Sequence, residues 1–160
     1  MDVIKVGMAD LKYGRDPCML TTLGLGSCVG ISLYDRKTKI SGMAHVMLPS
    51  SKQASDASNV AKFADTGIIE LVNKMLALGA NRATIIAKLA GGAQMFAFSD
   101  VSEIMRIGDR NIEASRRILA TIRIPIISQE VGSNFGRTIE LYSNDGSLLI
   151  KTIGRGTRTI

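Results

Sequence analysis

A chain of 160 residues, 46% hydrophobic and 21% charged, has the make-up of one folded domain over 1–160, which excludes disorder because disorder needs few apolar residues and much charge. Two cysteines and one histidine are too few for a disulfide scaffold or for a usual zinc site of three or four nitrogen and sulfur ligands, and they fit a reducing compartment. The net charge of +6 comes from basic residues scattered among 14 acidic ones, with four Phe, three Tyr and no Trp, so a mixed-charge surface is expected and no nucleic-acid groove lined with stacking aromatics.

Residues Met1 to Asp16 hold no long apolar stretch and no small-residue cleavage pattern, so no signal peptide is expected. Pro17 to Tyr34 carries no charge, but its Pro17, Thr21, Thr22, Gly24, Gly26, Ser27, Gly30 and Ser32 argue against membrane insertion. The expected location is the cytoplasm. Strands are expected at Val3–Ala9, Met19–Leu23, Val29–Tyr34 and Ile40–Leu48, the last two flanking the turn Asp35-Arg36-Lys37-Thr38. Pro49 and the polar run Ser50–Ser58 end this β segment.

Val60, Ala64, Ile68, Leu71, Val72, Met75 and Leu76 recur three and four apart and predict a helix with one apolar face, capped by Ser58 or Asn59 and stopped at Gly79. Arg82–Leu89 reads as a buried strand running into Gly91-Gly92. A second helix is expected over Asp109–Ile122, with Ile112, Ile118, Leu119 and Ile122 toward the core. Pro125–Val131 is a further strand, and Arg137–Tyr142 with Leu148–Ile153 a hairpin around Asn144-Asp145-Gly146. The tail after about Gly154 is expected to be loose. Strands at both ends with two helices between predict an α+β protein, a layered β-sheet sandwich with its two main helices packed on one side.

The chemistry concentrates in Thr22-Leu-Gly-Leu-Gly-Ser-Cys28-Val-Gly30. A dinucleotide fingerprint fails there, because Val29 stands where the third glycine belongs and a strand follows instead of a helix. No Gly-Lys-Ser/Thr is present for a P-loop. The remaining reading is a nucleophile on a tight turn: Gly24 and Gly26 allow a sharp bend before Cys28, and N–H groups near Ser27 and Cys28 offer an oxyanion site. If Arg36 and Lys37 are the two loop residues of a hairpin, 35 faces 38, 33 faces 40 and Cys28 faces His45, with Cα atoms ~4.5–5.5 Å apart on one face. One more loop residue would put them on opposite faces. A thiol beside an imidazole can pass over its proton and become a nucleophile, and Thr22 can orient the ring. The bland alternative is a buried structural cysteine and a satisfied core histidine; Cys18 is read that way.

Together Thr22-Leu-Gly-Leu-Gly-Ser-Cys28, Ala44-His45-Val46-Met47-Leu48-Pro49 and Ala90-Gly91-Gly92-Ala93 resemble the chemoreceptor glutamine deamidase CheD family. Lys62-Phe-Ala-Asp65 and Ile107-Gly-Asp-Arg-Asn-Ile-Glu113 extend the resemblance over most of the chain. It implies a cysteine amidohydrolase, a protein-glutamine glutaminase of chemotaxis that deamidates glutamines on the cytoplasmic part of methyl-accepting receptors. Cys28, His45 and Thr22 match the family's catalytic set. Gly26, Ser27, Gly91 and Gly92 are the residues expected around the substrate or oxyanion, and no metal or organic cofactor is implied. The fold is expected to be related to the catalytic domain of cytotoxic necrotizing factor toxins. A CheC-type phosphatase is the implied regulator, with contacts near Gln94 and Phe96-Ala-Phe98 undetermined. A noncatalytic module that only binds such a phosphatase is the alternative.

Overall fold

The computed structural model describes residues 1–94 and 106–160. Three central strands, β4 (Val29–Asp35), β5 (Ile40–Val46) and β6 (Ile85–Gly91), are buried along their whole length. Period-two alternation sends their side chains into two different cores. Val29, Ile31, Leu33, Ala44, Val46, Ile85, Ala87 and Leu89 join the helices in one apolar cluster. Met43 and Ala90, with Cys28, meet Leu20, Leu25, Ile139, Leu141 and Ile150 of a second sheet in the other.

With β1 (Asp2–Lys5), β2 (Asp10–Arg15), β3 (Cys18–Leu25), β7 (Ile126–Val131), β8 (Arg137–Tyr142), β9 (Leu148–Thr152) and β10 (Gly156–Thr159), the strands of the described residues form two five-stranded sheets. Their orders are β1-β3-β8-β9-β10 and β2-β5-β4-β6-β7. The layers are therefore sheet, sheet and helices, the expected α+β sandwich with both helices on one outer side.

Helix α1 (Ala64–Leu78) buries Ala64, Ile68, Leu71, Val72 and Met75, the stripe its spacing predicts, and stops at Gly79. Its expected first turn is instead a short 3-10 segment, Val60–Lys62, capped by the Asn59 side chain, which accepts from the Ala61 N–H at 3.1 Å. Helix α2 (Ile107–Thr121) buries Ile112 and Leu119 as expected, together with Gly108, Asn111 and Ser115. It lies between β6 and β7, which pair in parallel and so need a crossover.

Two expectations are corrected. The strand expected at Val3–Ala9 ends at Lys5 as β1, which pairs in parallel with β3, and an unexpected strand, β2, begins at Asp10 and pairs with β5 in the other sheet. Ala9, at φ 55°, and the Asp10 carboxylate, accepting from the Gly7 N–H at 3.0 Å, turn the chain between the sheets. β2 reads Asp-Leu-Lys-Tyr-Gly-Arg and is half-buried to exposed, so this edge strand carries no apolar alternation. The tail after Gly154, expected as loose, is strand β10, paired with β9 although all four of its residues are exposed. Backbone hydrogen bonds hold it, and those leave no trace in side-chain hydropathy.

Candidate functional site

The β4–β5 hairpin turns through Arg36–Lys39, because Tyr34 faces Ser41 and Gly30 faces His45. The loop is two residues longer than the sequence count assumed, which corrects the direct pairing of Cys28 with His45. The favoured two-residue hairpin turns put positive φ at the first loop position or at both, for which neither Arg36 nor Lys37 is suited. Here the strain falls on Lys39 alone, at φ 58°, whose N–H donates to the Asp35 carbonyl at 2.8 Å. A shift of two preserves the face. Cys28, just before β4, thus lies diagonally from His45 on the inter-sheet side.

His45 is fully buried on β5, and Thr22 is buried on β3 of the opposing sheet. The Thr22 hydroxyl lies 2.8 Å from the Val6 carbonyl and 2.7 Å from His45 Nδ1. The carbonyl can only accept, so the single hydroxyl proton goes there, and the Thr22 oxygen accepts from Nδ1–H. That selects the tautomer in which Nε2 carries the lone pair. Nε2 is buried and has no hydrogen-bond partner among the described residues. Burial lowers the His45 pKa below its ordinary value, more than nearby Asp10 raises it. Cys28 is a free, buried thiol. Burial pushes its pKa up, against the pull of its own backbone N–H. At rest both groups are thus biased toward their neutral forms, and Nε2 makes no hydrogen bond to the thiol.

A β-bulge in β3 between Thr22 and Leu25 and a left-handed Gly24, φ 68°, make the bend before Cys28. Gly26 does not share that conformation; its N–H donates to the Gly24 carbonyl at 3.0 Å and its carbonyl accepts from the Ala93 N–H at 2.8 Å. Ser27 offers its carbonyl to Asn111 Nδ2 at 2.9 Å. Gly91 and Gly92 are buried behind the turn. A Cβ at Gly91 would stand 2.4 Å from the Cys28 carbonyl oxygen, and one at Gly92 would stand 2.3 Å from Ile112. The Gly92 N–H donates to that same Cys28 carbonyl at 2.8 Å. Gly91 thus lets β6 press against the Cys28 backbone, and Gly92 lets α2 pack against the residue that follows β6.

The Gln94 N–H donates to the Ser133 carbonyl at 2.8 Å; Phe96-Ala-Phe98 lies outside the described residues. Cys18 is buried in β3, its N–H donating to Ser143 Oγ at 2.7 Å. Among the described residues no three His, Cys, Asp or Glu side chains gather as a metal ion would require. Sequence reasoning missed Asn111, a polar residue on the core-facing stripe of α2; its position one step before Ile112 was the available signal.

Fold and site define a class: a two-sheet α+β protein in which a buried imidazole on β5 meets a hydroxyl on β3, with a buried thiol on the turn just before β4. The chain belongs to the CheD family. Its residues 47–152 match the family model described as CheD chemotactic sensory transduction. It is 54% identical over 159 residues to a protein of Lachnoclostridium phytofermentans named "Probable chemoreceptor glutamine deamidase CheD", covering 99% of each chain. A protein of the same name from Caldanaerobacter subterraneus is also 54% identical, over 158 residues, covering 99% of this chain and 98% of the relative. Protein NMB0706 of Neisseria meningitidis, of family DUF152, shares the fold alone, with TM-score 0.51 and 10% identity over 84% of this chain. This chain spans 65% of the length of that one. The family match begins after His45, so the roles of Thr22, Cys28 and His45 are argued from chemistry and geometry.

Proposed function

We propose that this protein is a protein-glutamine deamidase that converts glutamines on the cytoplasmic part of chemoreceptors to glutamates. The names of its close relatives support the substrate. The observation that carries the chemistry is the 2.7 Å contact between Thr22 Oγ1 and His45 Nδ1, which leaves Nε2 as the basic nitrogen on the inter-sheet face. His45 Nε2 takes the Cys28 proton as the sulfur bonds to the glutamine side-chain carbonyl carbon. The resulting oxyanion is stabilised by N–H groups near Ser27 and Cys28. Collapse breaks the C–N bond, the imidazolium gives its proton to the departing nitrogen, and ammonia leaves a thioester. Water, losing a proton to Nε2, attacks the thioester; the sulfur departs and regains its proton, and glutamate is released. The sum consumes one amide and one water and yields one carboxylic acid and one ammonia.

Incubation with receptor cytoplasmic fragments, read by mass spectrometry, is expected to show amide-to-carboxylate conversion that Cys28→Ala abolishes. Conversion persisting in that variant refutes the nucleophile. The family resemblance also supports a CheC-type phosphatase as regulator. Cys28→Ala is expected to retain such a partner in a pull-down while losing deamidation, which separates binding from chemistry; a natural chain that binds but converts no glutamine favours the noncatalytic reading.

A further inference from the structure

Asn111 is fully buried on α2. A buried carboxamide is unfavourable unless its polar atoms find partners. Its Nδ2 donates to the Ser27 carbonyl and to the Met47 carbonyl, each at 2.9 Å. Reversing the amide would set Oδ1 against two carbonyl oxygens, so the network itself assigns the orientation. Oδ1 is buried and has no hydrogen-bond partner among the described residues. A half-satisfied amide costs more than an apolar side chain of the same volume, so helix packing alone does not account for it.

The two carbonyls belong to separate segments. Ser27 immediately precedes Cys28, and Met47 follows the end of β5, the strand that carries His45. We infer that Asn111 is a positioning residue: its carboxamide ties the Ser27 and Met47 carbonyls together and so holds the Cys28 turn at a set distance from the His45 strand. The inference rests on reading Cys28 and His45 as the reacting pair. Peptide planarity carries it further. The Ser27 carbonyl and the Cys28 N–H are opposite ends of one rigid trans unit, so tethering the first aims the second. That N–H belongs to the residue whose sulfur attacks, and a donor for the developing oxyanion is needed beside that atom.

The test uses the full chain carrying Asn111→Ala or Asn111→Ser. The control is Ser115→Ala, because the Ser115 hydroxyl lies one turn along the same helix and donates to the Asn111 backbone carbonyl at 2.7 Å. Three quantities are read: kcat and KM for deamidation, the pH profile of iodoacetamide labelling at Cys28, and the thermal midpoint. Asn111→Ala is expected to lower kcat roughly 10- to 100-fold with KM within about twofold, and to displace the labelling profile. Ser115→Ala is expected to leave kcat and the profile in place whatever its midpoint. A folded Asn111→Ala with unchanged kcat and unchanged labelling overturns the inference.

Should both Asn111 variants fail to fold, nuclear magnetic resonance of the isotope-labelled natural chain decides. The Asn111 side-chain N–H signals are expected to exchange slowly and to shift when Cys28 is alkylated; fast exchange or unshifted signals overturn the inference. Absence of deamidation by the natural chain would sink the proposed function, while labelling and exchange still judge the tether on their own.

Discussion

Because the Thr22 hydroxyl proton is committed to the Val6 carbonyl, its oxygen is left to accept from His45 Nδ1, and the basic nitrogen of the ring is Nε2. Thr22→Val keeps the shape but removes that acceptor and leaves the Val6 carbonyl without its partner. We expect kcat to fall roughly 10- to 100-fold, at a stability cost of about 1–3 kcal/mol, with Thr22→Ser restoring most of the rate. Activity in Thr22→Val equal to that of the natural chain would remove Thr22 from the mechanism.

The pH dependence follows from burial. His45 lies below its ordinary 6.5 and stays unprotonated into mildly acidic solution, so the acid limb of kcat/KM is expected below that value. The Cys28 thiol lies above its ordinary 9.0, so its labelling in the free protein is expected to keep rising through alkaline pH. A labelling plateau at neutral pH would show a preformed thiolate and contradict this.

At the scale of elements, the β4–β5 turn is organised by Asp35, fully buried at the end of β4. Its carboxylate accepts from the Lys37 N–H at 3.0 Å, the Thr38 hydroxyl at 2.6 Å and the Asn81 N–H at 2.6 Å, and from the Thr84 hydroxyl. Burial works to raise its pKa, but those hydrogen bonds outweigh it and hold the group at about 2. The sign is then determined. Below about pH 4 the unfolded carboxylate takes up a proton that the folded one refuses, so about 2 kcal/mol of stability is present above that pH and lost as the pH falls toward 2. Asp35→Asn is expected to destabilise by about 1–3 kcal/mol at neutral pH, with the difference from the natural chain shrinking between pH ~4 and ~2 in urea titrations. A difference independent of pH would contradict the assignment. The same turn determines which residue of β4 faces His45, so a structural carboxylate sets the geometry of the site from the far end of the hairpin.

Across the whole molecule, the Cys28 turn is held from three directions. The opposing sheet supplies Leu25 and Ile139, β6 brings Gly91 against its backbone and the following Gly92 donates to the Cys28 carbonyl, and α2 brings Asn111. Gly92→Ala forces a Cβ into Ile112 and an alanine into a backbone at φ 68°. We expect a loss of about 2–4 kcal/mol in chemical denaturation, with activity falling as α2 is displaced. Stability within about 0.5 kcal/mol of the natural chain would show that helix and strand part more easily than their packing implies.

Both helices, most strands and the layer order were legible in the residues, because a stripe every three or four positions or an unbroken apolar run has few ways to be buried. Thr22, Cys28 and His45 stood out by residue type, and an even loop length was enough to put the thiol and imidazole on one face. Tertiary structure alone decided the four-residue loop, which depends on Asp35 meeting Asn81 and Thr84 from a distant segment. It alone ended the first strand at Lys5, started β2 at Asp10 in the other sheet and ordered β10, since backbone pairing at an edge makes no demand on side-chain type. It alone also brought Asn111 to the two carbonyls, a meeting of three segments far apart in the chain that no local pattern encodes.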